Sequence, residues 1–181
     1  MAENQRELAW NLFSELRKEV VESQRIRTQI IGFKITFVSA AVGVITTNLG
    51  KVPTILLAVP AIAATFFDFL IYGYAFSIKR IGYYCRRHLE PILRKEFELP
   101  EDFLLWEEFL VVEPKIRQAF TFSGNLGFTV LTCAAGSFGA VNNFQTTTSL
   151  PVLLILGILL ALDVRAYRRS RRFRWEGASR K

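Results

Sequence analysis

The chain has 181 residues, 51% of them hydrophobic and 13% aromatic, with a mean hydropathy of +0.25 and a formal net charge of +7. A soluble domain of this length would bury one core behind alternating polar faces. Here charge is instead withheld from long stretches, which excludes that ordinary pattern. Only Lys34, Lys51 and Asp68 fall among the 51 residues between Arg27 and Lys79, and only Asp163 among the 47 between Arg117 and Arg165. A membrane-spanning helix needs roughly 20 apolar residues, so each gap holds two spans and a short turn.

Residues 1–27 read as a cytoplasmic amphipathic helix. Leu8, Leu12, Leu16 and Val20 recur every four residues, with Phe13 beside them. Five basic and five acidic residues cancel. No Pro or Gly separates this arm from the apolar run that follows, so the helix is free to continue into it. The stripe suits a partner helix, a sister subunit, the membrane surface or, most simply, the chain's own central segment.

Residues 28–77 form the first predicted transmembrane hairpin, with spans near 28–47 and 53–77. The break falls in "TTNLGKVP", where Asn, Gly and Pro punctuate helices, and Pro53 suits a helix start. Asp68 lies 11 residues before Lys79, roughly 16 Å inside the apolar run at the helical rise. An Asp at that depth costs about 3 kcal/mol by insertion scales, so it needs a partner, a proton or water. Lys34 lies seven residues after Arg27, roughly 10 Å deep. The two spans are antiparallel neighbours, and a lysine stem covers about one turn of difference in depth. The expectation is an ion pair, Lys34 with Asp68, that pins the hairpin. The alternative is an acid that lines a wet cavity or relays protons.

Residues 78–118 form a cytoplasmic helical segment with eight basic and eight acidic residues between Lys79 and Arg117. The second span is predicted to continue as a helix to about Glu90, where Pro91 kinks or restarts it. "LPEDFLLWEEF" reads as a further short helix with acids in its first turn. Tyr83, Tyr84 and Trp106 suit either a headgroup layer or packing against the arm.

Residues 119–167 form the second hairpin, with spans near 119–141 and 150–167 and a polar break at "NNFQTTTSLP". Small residues four apart let helix backbones approach. They include Ser39 and Gly43 in the first span, Ser123 and Gly127, Ala135 and Gly139, and Gly136 and Ala140 in the third, and Gly157 and Ala161 in the fourth. Asn125, Thr129 and Thr132 place polar groups in the third span, to bond across helices or to face water. The hairpins are faintly alike: from Gly32 and Gly127 they share Gly, Phe, one Ala and a final Asn, and each following span opens with Pro and carries one late Asp. This fits a parallel repeat as well as coincidence.

Residues 168–181 form a basic tail. Counted from Arg165, the C-terminal end holds eight basic residues against Glu176, which accounts for the whole net excess. Arg168, Arg169, Arg171, Arg172 and Arg174 directly follow the last span and suit anionic lipid, at about 1 kcal/mol each near a charged surface. Phe173 and Trp175 between them resemble a nucleic-acid surface, but position beside a span accounts for the cluster, and nucleic acid is not expected. The distribution of Lys and Arg places both termini and the central segment in the cytoplasm. No cleavable signal pattern precedes the first span.

Chemistry is sparse. The one His, His88, stands three residues from Cys85, too few ligands for zinc. Cys133 lies apart in the third span, so two free thiols are expected. Phosphate loops, zinc-protease motifs and nucleophile elbows are missing from the sequence. No enzyme activity, catalytic residue, metal or cofactor is expected.

The stretch Arg80, Ile81, Tyr84, Arg86, Glu90 and Pro91, followed by Trp106 and Glu107, resembles an R-I-x-x-Y-x-R-x-x-x-E-P pattern of small bacterial membrane proteins. Those pair a cytoplasmic helix with a two-span hairpin. The layout over about residues 5–110 is also similar to the SLATT group of bacterial two-span proteins. That resemblance implies a membrane-disrupting effector under nucleotide-signalled control. The second hairpin and basic tail depart from the SLATT layout, which typically ends in a cytosolic helix.

The fold class expected is all-α: an integral membrane four-helix protein of two transmembrane hairpins with amphipathic cytoplasmic helices, in the inner (plasma) membrane. The expected function is an oligomeric gated pore or membrane-perturbing effector controlled through the cytoplasmic helices. The alternative is a non-conducting anchor or scaffold that recruits a soluble partner. Expected partners are a bilayer with anionic headgroups, further copies of the chain, and a cytoplasmic protein or nucleotide ligand.

Overall fold

The computed structural model describes residues 2–100, 119–142 and 146–172, with side chains for 6–100, 124–142 and 147–170. Among them all regular structure is helical, and four helices are long and apolar enough to cross a membrane.

Helix α1 (Ala2–Thr47) is unbroken for 46 residues, so the arm does run on into the apolar segment. Its end is chemically marked. The Thr46 and Thr47 hydroxyls donate back to the Val42, Gly43 and Val44 carbonyls, and Asn48 Nδ2 donates to Val44 O at 2.8 Å. These bonds engage carbonyls where the helix is running out of backbone donors. Gly50 then turns the chain at φ 94°, a left-handed conformation that favours glycine.

A 3₁₀ turn (Thr54–Leu57) follows Pro53 and leads into α2 (Ala58–Tyr84). The helical path then continues through a π-helical turn (Cys85–Leu89) into α3 (Glu90–Glu96). The expected break at Pro91 is thus a widened turn placed before the proline. Pro91 has no N–H to give to the Arg87 carbonyl, and its ring crowds that oxygen. Widening the preceding turn accommodates both without ending the helix.

Helix α3 ends in a Schellman arrangement. Leu99 N donates to Arg94 O at 3.0 Å and Glu98 N to Lys95 O at 3.4 Å. The left-handed position usually held by glycine is filled by Glu98, at φ 51°. Beyond Pro100 the helix expected over "LPEDFLLWEEF", with Trp106, lies outside the described residues.

Helices α4 (Ala119–Asn142) and α5 (Thr146–Arg172) complete the chain. Helix α5 begins earlier and ends later than the 150–167 read from the sequence. Pro151 lies inside it. So close to the helix start it removes only the bond to Thr147, while the arginines after the apolar run are good helix formers.

The chain divides into two compact units. The unit of residues 1–26, 74–117 and 173–181 has a core of Ile81, Cys85 and Leu89, covered by Phe13, Leu16 and Val20 of the arm. Arg6 stacks over the Phe97 ring at 4.1 Å, and Trp10 lies 6.0 Å from the same ring. The leucine stripe divides: Leu16 and Val20 pack inward, whereas Leu8 and Leu12 are exposed.

The unit of residues 27–73 and 118–172 has its polarity reversed relative to a water-soluble domain. Lys34, Thr65, Asp68, Asn125, Thr129, Thr132, Ser149 and Asp163 are buried, while Phe33, Val44, Phe66, Leu131, Phe138, Leu154 and Ile158 are exposed. A small apolar core of Ala58, Ala61, Cys133 and Leu156 sits within it. Helix α4 packs tightly on the start of α2. A Cβ at Gly139 would lie 2.2 Å from the Thr54 carbonyl oxygen, and one at Gly136 would lie 3.1 Å from Ala58 Cα. Thr54 Oγ1 also donates to Gly139 O at 2.9 Å.

Candidate functional site: a buried polar centre

All four apolar helices contribute a polar side chain to one buried centre. From α1, Lys34 Nζ lies 2.7 Å from Asp68 Oδ1 of α2, and neither side chain is exposed to solvent. From α4, Asn125 and Thr129 serve both charges. Lys34 Nζ donates to Asn125 O at 3.1 Å, Asn125 Oδ1 at 3.0 Å and Thr129 Oγ1 at 2.6 Å. In return Asn125 Nδ2 donates to Asp68 Oδ1, and the Thr129 hydroxyl to Asp68 Oδ2. The Phe128 ring lies 5.7 Å from Lys34 Nζ.

This arrangement satisfies the pair by the geometry a buried ion pair requires. Desolvating two charges is costly, and their attraction offsets that only when the remaining donors and acceptors are also bonded. Both Asp68 oxygens are bonded, and four acceptors surround the three Lys34 protons. The spacing of Asn125 and Thr129, four residues apart, puts amide and hydroxyl on one face of α4.

From α5 comes a second carboxylate. Asp163 is wholly buried, and neither of its oxygens has a hydrogen-bond partner among the described residues. It faces Asp68 and Tyr72 of α2, with Lys34 and, on α4, Cys133 within electrostatic reach. Tyr72 and Tyr167 come together on one side of the centre, with ring centroids 6.5 Å apart. Each stands four residues after its aspartate, so α2 and α5 carry the same Asp-x-x-x-Tyr element, as "DFLIY" and "DVRAY".

Sequence reasoning named Lys34 and Asp68 as a pair, and they are in contact. It left Asp163 out of the site, although the repeated Asp-x-x-x-Tyr was a readable signal. Asn125 and Thr129 were noted for their polarity but not assigned to this pair.

The small residues divide. Gly139 is in close backbone contact, Ala135 is half-buried, Ser39 is exposed, and added Cβ atoms at Gly43 and Gly127 would meet nothing within 4 Å. Gly136, outside the principal set, is the second close-contact position. Arg168 and Arg169 are exposed at the end of α5, whereas the side chains of Arg171, Arg172 and Arg174 lie outside the described residues. Cys85 and Cys133 are both free and buried.

Comparison with protein-family models, with curated proteins and with solved structures found no match to this chain.

Proposed function

We propose that the chain is a multi-pass protein of the inner (plasma) membrane that acts as an oligomeric gated pore or membrane-perturbing effector. Residues 1–27 and 78–118 and the basic tail lie in the cytoplasm, where the helices answer to a protein or nucleotide ligand. Three features support membrane insertion. Four helices have the length and composition of spans. The unit they form is apolar outside and polar inside, an arrangement suited to lipid and unfavourable in water. Helix α1, at 46 residues, is about 69 Å long and so exceeds a hydrocarbon layer of about 30 Å by the length of the arm.

The observation that carries the functional reading is the charged centre built from all four helices. Ionisable groups inside a membrane protein are costly and mark ion or proton routes unless they only tie helices together. Here Lys34 and Asp68 close the centre, and separating them opens a polar path lined by Asn125 and Thr129. Exposed small-residue faces around Gly43 and Gly127 suit contact with further copies of the chain. The layout it shares with SLATT proteins over about residues 5–110 agrees with this reading.

The alternative, a non-conducting scaffold, draws on the exposed Leu8, Trp10, Leu12 and Val21 of the arm, an apolar surface suited to a soluble partner. Ion flux from liposomes holding the purified protein, wild type beside Asp68→Asn, separates the two. A pore predicts flux that changes in the variant. No flux at any voltage or ligand condition would favour the scaffold.

A further inference from the structure

We propose that the buried centre is a proton-binding site, in which Asp163 carries one exchangeable proton beside the Lys34–Asp68 ion pair. The proposal deepens the pore reading, on which it rests for the dry surroundings of the centre.

The argument begins with charge. One ammonium and two carboxylates are buried together. Lys34 is in contact with Asp68 at 2.7 Å, so an ionised Asp163 would leave one negative charge uncompensated. A lone buried carboxylate is far costlier than a neutral acid, and such groups take up a proton or a cation. Lys34 is not free to serve both. Its three protons are already shared among Asp68, Asn125 and Thr129. The bare oxygens of Asp163 are therefore the vacant position in the centre.

The occupant follows from the donor set. A sodium ion needs several oxygen ligands in a shell, but the nearby oxygens of Asp68, Asn125 and Thr129 already accept from Lys34. The ammonium would also repel a second cation. A proton needs only one Asp163 oxygen. The groups that face it from the packed helices are Lys34 of α1, Asp68 and Tyr72 of α2, and Cys133 of α4. Of these only Asp68 is a second acid of the same strength, and it is held ionised by three donors. The proton thus goes to Asp163, and moving it to Asp68 requires that Lys34 withdraw. The Tyr72 and Tyr167 pair stands one turn from both carboxylates and covers the side toward the basic tail.

Infrared spectroscopy of the full chain in lipid vesicles tests this directly. A neutral carboxylic acid has a carbonyl stretch well above the carboxylate bands, and the band shifts downward in D₂O when the proton exchanges. Wild type at neutral pH is expected to show such a band with a D₂O shift, unchanged by sodium. Asp163→Asn should lose it, and Asp163→Glu should move it. A wild-type spectrum without the band would overturn the proposal, as would a band that survives in Asp163→Asn. A band that appears only when sodium is removed would make a cation the occupant. Should Asp163→Asn fail to fold, the wild-type spectrum and the Asp163→Glu shift still decide. The band does not depend on conduction. Vesicles with the band but without ion flux would sink the pore and leave the proton site standing.

Discussion

Lys34 and Asp68 meet at 2.7 Å from different helices, 34 residues apart in sequence, with no solvent exposure on either side chain. Removing one partner of such a pair strands a charge, which costs about 3–5 kcal/mol. Lys34→Met is therefore expected to destabilise the protein by that amount in detergent. The double variant Lys34→Met with Asp68→Leu removes both charges and should recover most of the loss. Thermal unfolding of the two singles and the double completes the cycle. Additive losses would mean that the two groups are not coupled.

The close approach of Gly139 to Thr54 gives a second prediction. Ala at 139 would push a methyl group against a backbone carbonyl oxygen, and neither side can rotate away. Overpacking of this kind costs about 1–3 kcal/mol. Gly127→Ala, which meets nothing within 4 Å, should be neutral or stabilising by up to about 1 kcal/mol through helix propensity. Equal midpoints for the two variants in a chemical denaturation series would contradict the packing described.

Glu98 holds a left-handed conformation at the end of α3. A side chain there costs roughly 1–2 kcal/mol relative to a right-handed residue, a penalty glycine does not incur. Glu98→Gly is expected to stabilise the unit formed by the arm and the 74–100 segment by about 1 kcal/mol. Hydrogen exchange at the Glu98 and Leu99 amides should slow in the variant. Faster exchange would show that the glutamate side chain stabilises the turn in another way.

Much of this architecture was legible because the signals were local. Charge-free runs marked four helices, and Asn, Gly and Pro marked the turn after Thr47. The Lys34–Asp68 pair was legible because both charges break apolar runs at similar depth on neighbouring helices. The fourth contributor was harder to read. Asp163 stands two residues before Arg165, so it looks like part of the polar boundary, and only the packing of α5 turns it inward. The faces of Gly43 and Gly139 look the same in sequence, because a small residue does not announce which neighbour it admits. The extent of α5 escaped for another reason: Pro151 reads as a boundary, yet near a helix start it removes only one bond.

The π-helical turn at Cys85–Leu89 has a consequence for how the chain tolerates length changes. A π turn accommodates about one residue more than regular α-helix would in its place. Deleting one residue there is expected to leave a regular helix from α2 into α3. It would also rotate the two parts by about 100° relative to the native arrangement. Leu93, now buried, would swing off its present face. The extra residue is thus a spacer that sets phase, and a single insertion or deletion near Cys85 shifts facing without shortening any element.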